Sequence, residues 1–170
     1  LTVEPARGAL WVGTSAGVHE VDLVSGKLRN TFTRKHGLAN EYVFAVGLDR
    51  DGHKWFGTNA GGASRYKDGK WKTFFPMHGL ADYWIYSFAE QKSGDFWIGT
   101  WAGVNRLDPK SGEMFSFGYS PVAKPHLQYS VIAADGALAH TTAIELPIGV
   151  MMHDFAITER YAVFMNHPYT

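Results

Sequence analysis

The chain contains no cysteine, which excludes a disulfide framework and any thiolate-ligated metal and leaves its redox compartment open. An excess of one charge is missing as well. Sixteen Lys and Arg balance sixteen Asp and Glu, with no block of either sign, so no net field favours nucleic acid or an anionic membrane surface. Long apolar runs are absent: the longest uncharged stretch, Gly8–His19, has 12 residues and falls far short of the roughly 20 that a membrane-spanning helix needs. The opening "LTVEPARGALWVGT" has neither the basic start nor the apolar core of a signal peptide, and beginning at Leu1 it reads as a piece of something longer. What is present, 170 residues of which 45% are hydrophobic and 19% charged, suffices for one globular domain with a sizeable core.

Helical periodicity is also lacking over any useful length, and a longer period takes its place. "LWVGTSAGVHEVD" from Leu10, "KWFGTNAGGASRY" from Lys54 and "FWIGTWAGVNRLD" from Phe96 are three versions of one phrase. Trp11, Trp55 and Trp97 stand 44 and then 42 residues apart, and "HGLAN" at His36 returns as "HGLAD" at His78 after 42. A period of this size points to solenoids or propellers. Within the second copy the pattern predicts four short strands: "YVFAVGLD" from Tyr42, "HKWFGT" from His53, "GASRYK" from Gly62 and "KWKTFF" from Lys70. The dividers "DRDG" and "KDG" carry the Asp-Gly of tight hairpins, where glycine accepts a positive φ. Four antiparallel strands per repeat make the blade of a β-propeller. The fold class is therefore all-β, with three to four four-stranded blades in an incomplete or open arrangement. The tryptophans then pack between blades, and the glycines of "WxGT…AG" permit close backbone approach rather than forming a phosphate loop.

"GLAN…V…LDRDGHKWFGTNAGGASRYKDGKWKTF" resembles the two-component regulator propeller repeat of extracytoplasmic sensor regions in bacterial hybrid histidine kinases. The likeness runs from about residue 9 to 107 in three copies, the first expected to lack its opening strand, and defines a first segment at 1–107. It implies a ligand-sensing or scaffold module without chemistry of its own, often for glycan-derived ligands, in a periplasmic or extracellular setting.

A fourth "WxGT" is due near residue 140, where the text reads "LAHTTAIELP" instead. From Asp108 the vocabulary changes, and "FGYS", "YSV…ADG", "TTAIELP" and "MMHDFAIT" resemble the carotenoid cleavage oxygenase family across residues 108–170. That resemblance implies a second propeller, one whose axis holds a non-haem Fe2+ on four histidines and which splits conjugated double bonds of carotenoid-like substrates with O2, and it implies a cytoplasmic setting. His153 corresponds to one of the iron ligands. The position of another falls on Val104, inside "AGVNRLDP", and the remaining two lie outside the matched span, so one ligand of four is carried over. A single imidazole holds a metal weakly. The two resemblances meet at "RLDPKSGE", as in a fusion. Because both parents are propellers, "EMFSFGYS" is expected as the outer strand of the third blade. "HLQYSVIAAD", "ALAHTTAIEL", "MMHDFAIT" and "RYAVFMN" are then available for a fourth.

Other candidates are weaker. His36 and His78 share a repeat position beside Gly and Leu and read as turn or packing residues. His19, His53, His126 and His140 are isolated in strands or turns, and His167 precedes a proline. Asp154 and Glu159 have no nearby nucleophile and read as a turn and a solvated edge. For ligand binding, Trp84, Tyr86 and Trp101 are the candidates, since aromatic rings near a propeller face can stack on a saccharide. Trp101 stands where the other copies have Ser15 and Asn59, small polar residues after "WxGT", so the turn should present it outward. No cofactor is expected for the sensor reading, and Fe2+ for the oxygenase one. An open arc would leave blade edges free for self-association.

Overall fold

A computed structural model of the chain describes residues 1–108, 110–120, 122–135, 137–149, 155–157 and 161–164, with backbone alone for 155–157. The first blade consists of β1 (Thr2–Glu4), β2 (Ala9–Thr14), β3 (Gly17–Asp22) and β4 (Leu28–Phe32), hydrogen-bonded in that order. The second is β5 (Val43–Leu48), β6 (Lys54–Thr58), β7 (Ala63–Lys67) and β8 (Lys70–Phe74). All four strands expected within the second copy are present. The first copy has an opening strand after all, and Thr2–Glu4 supplies it by pairing Thr2 with Trp11 and Glu4 with Ala9. It lies before the recognisable repeat and is only three residues long, too short for a period-2 pattern.

The third sheet departs from expectation. It contains β9 (Ile85–Glu90), β10 (Phe96–Thr100), β11 (Gly103–Leu107) and β12 (Met114–Tyr119); "EMFSFGYS" forms β12 beside β11 as expected, but it is not the outer strand. β13 (Leu127–Ile132) and β14 (Leu138–Ile144) then pair onto β12 in the same sheet, giving the order β14-β13-β12-β11-β10-β9. The "MMHDFAIT" and "RYAVFMN" segments contribute β15 (Phe155–Ile157) and β16 (Ala162–Phe164), which pair with each other. No separate four-stranded fourth blade forms among the described residues.

The physical reason lies in the loops between blades. After β4 and β8 the chain makes a one-turn 3-10 segment, Arg34–His36 or Pro76–His78, followed by a left-handed glycine, Gly37 at φ 112° or Gly79 at φ 95°. Leu38 and Leu80 are then buried between blades. The next blade clamps each loop: Ser64 Oγ accepts Ala39 N–H at 3.0 Å, while Asn105 accepts Ala81 N–H at 3.0 Å and donates to Gly79 O at 2.8 Å. After β12 the sequence reads "SPVAKPHLQ", without this device. The chain doubles back and pairs beside the strand it has just left.

Two clusters form the core between blades. Trp11, Ala9 and Val18 of the first blade meet Val43 and Phe56 of the second. Trp55, Ala63 and Phe74 of the second meet Ile85, Phe96 and Ile98 of the third. Successive side chains of a strand point to opposite faces, so in β6 Phe56 serves one interface and Trp55 the other, and the whole strand is buried. A polar link joins the first pair of blades: buried Lys54 reaches Glu4 at 2.8 Å, and Trp11 Nε1 donates to the other Glu4 oxygen at 2.8 Å. Among the described residues no helix is long and apolar enough to cross a membrane.

Candidate functional site

The "WxGT" hairpins are built alike. The threonine hydroxyl donates to the carbonyl of the glycine three or four residues on, Thr14 to Gly17, Thr58 to Gly62 and Thr100 to Gly103, at 2.7–3.0 Å. This places the residue after the threonine at the tip of the turn. In the third blade it is Trp101, whose N–H bonds Trp84 O at 3.0 Å, as Asn59 N–H bonds Tyr42 O at 2.9 Å in the second. Trp84 and Tyr42 are held in turn by Asp82 and Asn40, whose side-chain oxygens accept their N–H groups at 2.7 and 2.9 Å.

These backbone anchors set up a continuous row of exposed rings. Trp84 and Trp101 have centroids 6.4 Å apart, Trp101 and Tyr86 6.3 Å, Tyr86 and Phe44 5.2 Å, and Phe44 and Tyr42 5.2 Å. Every ring in the row is at least 39% exposed, and Trp101 reaches 68%. Contiguous exposed apolar surface, unlike scattered single side chains, makes this row the candidate ligand site. The structure brings Trp84, Tyr86 and Trp101 together and adds Tyr42 and Phe44. The signal for those two was in the repeat: "EYVFAV" aligns with "YWIYSF", so both copies carry aromatics two residues apart, flanking the buried Val43 or Ile85.

The described histidines close turns or sit in strands. His36 and His78 turn Nδ1 back onto the N–H of Thr33 and Phe75, at 3.0 and 3.3 Å, closing their own turns. His19 Nδ1 lies 3.0 Å from Thr31 Oγ1, His126 Nδ1 lies 2.9 Å from Ser120 O, and His140 is exposed in β14. His153, Asp154, Glu159 and His167 lie outside the described residues. Among the described residues, Asp49, Asp51 and His53 bring three ligand-type atoms within 4.8 Å of one another. Asp49, however, already accepts His53 N–H and Trp55 Nε1–H, each at 2.8 Å, which makes it the anchor of its turn. Val104, at the position implied for a second iron ligand, packs with the apolar cluster around Phe117 and Leu127.

The exposed row and the broken repeat gain meaning beside known proteins. The sequence profile of the retinal pigment epithelial membrane protein family matches residues 86–170, half of the chain. The chain belongs to this family. Its membership begins within the third blade, so β10 and β11 are shared between the family match and the tryptophan repeat. Among curated relatives, the carotenoid 9,10(9',10')-cleavage dioxygenase 1 of Arabidopsis thaliana is 51% identical over 63 residues, covering 37% of this chain and 12% of the relative. The isoeugenol monooxygenase of Pseudomonas nitroreducens is 36% identical over 67 residues, 38% of this chain and 14% of the relative. The chain thus spans about an eighth of the length of the curated relatives it matches. Two solved structures, extracellular domains of hybrid two-component systems from B. thetaiotaomicron, cover 98% and 95% of this chain and 26% of their own. Their TM-scores are 0.58 and 0.59, at 18% and 15% identity. At such identities the likeness is one of fold. A propeller-like fold and a segment of the carotenoid oxygenase family are combined in one chain.

Proposed function

We propose that this chain acts as a non-catalytic β-propeller segment, a ligand-sensing or scaffold module fused to part of a carotenoid oxygenase. Its ligand site is the row formed by Trp84, Trp101, Tyr86, Phe44 and Tyr42, and the ligand is a small molecule with flat apolar faces, a saccharide by preference. The single observation that carries the reading is the continuity of that row on exposed, backbone-anchored rings. Aromatic side chains supply large contact area at low entropic cost, and rings already packed on one another lose little further freedom on binding.

Titration with cellohexaose and maltohexaose, followed by tryptophan emission, is expected to saturate. Trp101→Ala should weaken it at least tenfold without altering the unfolding midpoint. If neither sugar saturates, or if Trp101→Ala binds as the parent does, the reading fails.

Family membership of residues 86–170 favours a second reading, an iron-dependent dioxygenase acting on carotenoid-like polyenes with His153 as ligand. The described residues fit such a centre poorly. Val104 offers an apolar side chain at a ligand position, and His126 is engaged by Ser120. Metal content after ferrous loading and desalting decides between the readings: stoichiometric iron lost in His153→Ala would revive the oxygenase, and none in either protein would leave the non-catalytic module.

A further inference from the structure

Strand β6 has the aromatic row near one end and, near the other, beside the Asp49–His53 turn, a cavity of about 370 Å³ between the second and third blades. Its volume falls in the range of small-molecule pockets. The floor is apolar, made of the buried side chains Phe74, Phe96, Met114 and Ile132. Arg65 and Lys72 line the same cavity.

Those two cations are directly opposite each other on β7 and β8, and Lys67 is opposite Lys70 in the same hairpin. Like charges facing across an antiparallel pair destabilise it, and of these two pairs it is Arg65 and Lys72 that face the cavity, with Lys72 Nζ 4.9 Å from the Phe74 ring centroid. The carboxylates around the cavity are largely engaged elsewhere. Asp49 takes Trp55 and His53, Glu90 takes Arg50 at 2.9 Å, Asp108 takes the N–H groups of Lys110 and Ser111, and Asp135 takes Ala137 N–H. Asp51 acts on Arg65 only through its field. Arg65 itself is half-buried, with its guanidinium carbon 5.4 Å from the Trp55 ring centroid and 5.6 Å from that of Phe74. The stacked pair Trp55 and Phe74 lies beside the guanidinium, and its N–H groups are available for a planar, bidentate acceptor. Burial pushes its pKa down, against the pull of Asp49 and Asp51, which is the cost an incoming anion would relieve.

We propose that this cavity binds a small organic oxyanion, its charged head between Arg65 and Lys72 and its apolar body on the floor of Phe74, Phe96, Met114 and Ile132. The site is separate from the aromatic row and does not depend on it.

Calorimetric titration of the full chain with benzoate, phenyl phosphate, inorganic phosphate and benzamide tests it. At least one of the two aromatic anions should bind with a stoichiometry of one, at least tenfold more tightly than inorganic phosphate or neutral benzamide. Arg65→Gln should abolish that binding. Lys72→Gln, an exposed change that removes a like-charge opposition, should weaken it at least fivefold while the ligand-free unfolding midpoint does not fall. Trp101→Ala should leave it unchanged. The proposal is overturned if neither aromatic anion saturates, if benzamide binds equally well, or if Lys72→Gln binds as the parent does. The Lys72 variant keeps the test decisive should Arg65→Gln fail to fold.

Discussion

The second and third blades carry the same "WxGT" strand, yet its glycine meets different surroundings in the two. A Cβ on Gly57 would lie 2.8 Å from both the side chain and the carbonyl of Ile85, the inner strand of the following blade. Gly13 stands in the same relation to Val43, at 2.6 Å. A Cβ on Gly99 would meet Ser87 Oγ at 2.3 Å, a side chain of its own blade. The tryptophans follow suit. Trp11 and Trp55 are buried against a successor blade, whereas Trp97 is half-buried with Phe115, Tyr129, Ile144 and Phe164. A repeat motif supplies one half of an interface, and what it packs against depends on whether the next unit arrives.

Removing the rings should have the largest effect. Trp55→Ala is expected to cost about 3–5 kcal/mol in urea unfolding. Trp97→Ala should cost roughly half as much, because part of its surface is already in water. Equal losses would mean that the third blade is covered as fully as the second. Next come the glycines: Gly57→Ala forces a methyl group onto the Ile85 backbone and should cost about 1–3 kcal/mol. Gly99→Ala needs only a rotation of the Ser87 hydroxyl and should stay under about 1 kcal/mol, by the same measurement.

Asn105→Ala should cost about 1–3 kcal/mol, since it strips partners from Ala81 N–H and Gly79 O in the loop that starts the third blade. Hydrogen exchange should quicken at Ala81 first. A gentler contrast concerns the outer strands. β4 and β8 carry Arg29, Lys70 and Lys72, while β14, "LAHTTAI", ends its sheet among the described residues with no charge and no proline. Charged residues blunt such edges. Thr141→Lys is therefore expected to lower any concentration-dependent association in sedimentation velocity, and Thr31→Lys on β4 to change nothing.

The smallest effect is electrostatic and confined to the first blade. Asp22 accepts the N–H of Ser25 at 2.7 Å and pairs with Arg29, which holds its carboxyl well below the ordinary 3.8. A depressed carboxyl contributes stability above its unfolded pKa and loses it as pH falls through the folded value. The gap in melting temperature between the parent and Asp22→Asn should thus be present at pH 6 and narrow below pH 4.

Much of this architecture was legible in the residues. The 42-residue return of "HGLA", the Asp-Gly turns and the alternation in "KWFGT" and "GASRY" specify strand, hairpin and blade, because each is a local demand on φ, ψ or face. The exposed position of Trp101 could be read from its place after "WxGT". The row it joins was less legible, because Tyr42 and Phe44 come from a strand about 58 residues earlier and meet Tyr86 only through the packing of adjacent blades. The pairing of Arg65 with Lys72 needs the register of β7 on β8, which one slipped residue would undo.

An all-β chain of repeated four-strand units whose tryptophans seek a neighbour, and a change of family vocabulary in its last third, follow from the residues alone. Where the third sheet ends depends on long-range pairing. Residues 120–126 lack the glycine-leucine loop that returns the chain to an inner strand, so β13 found the free backbone edge of β12 and β14 found that of β13. Local propensity makes a strand, but the nearest unpaired edge chooses its partner.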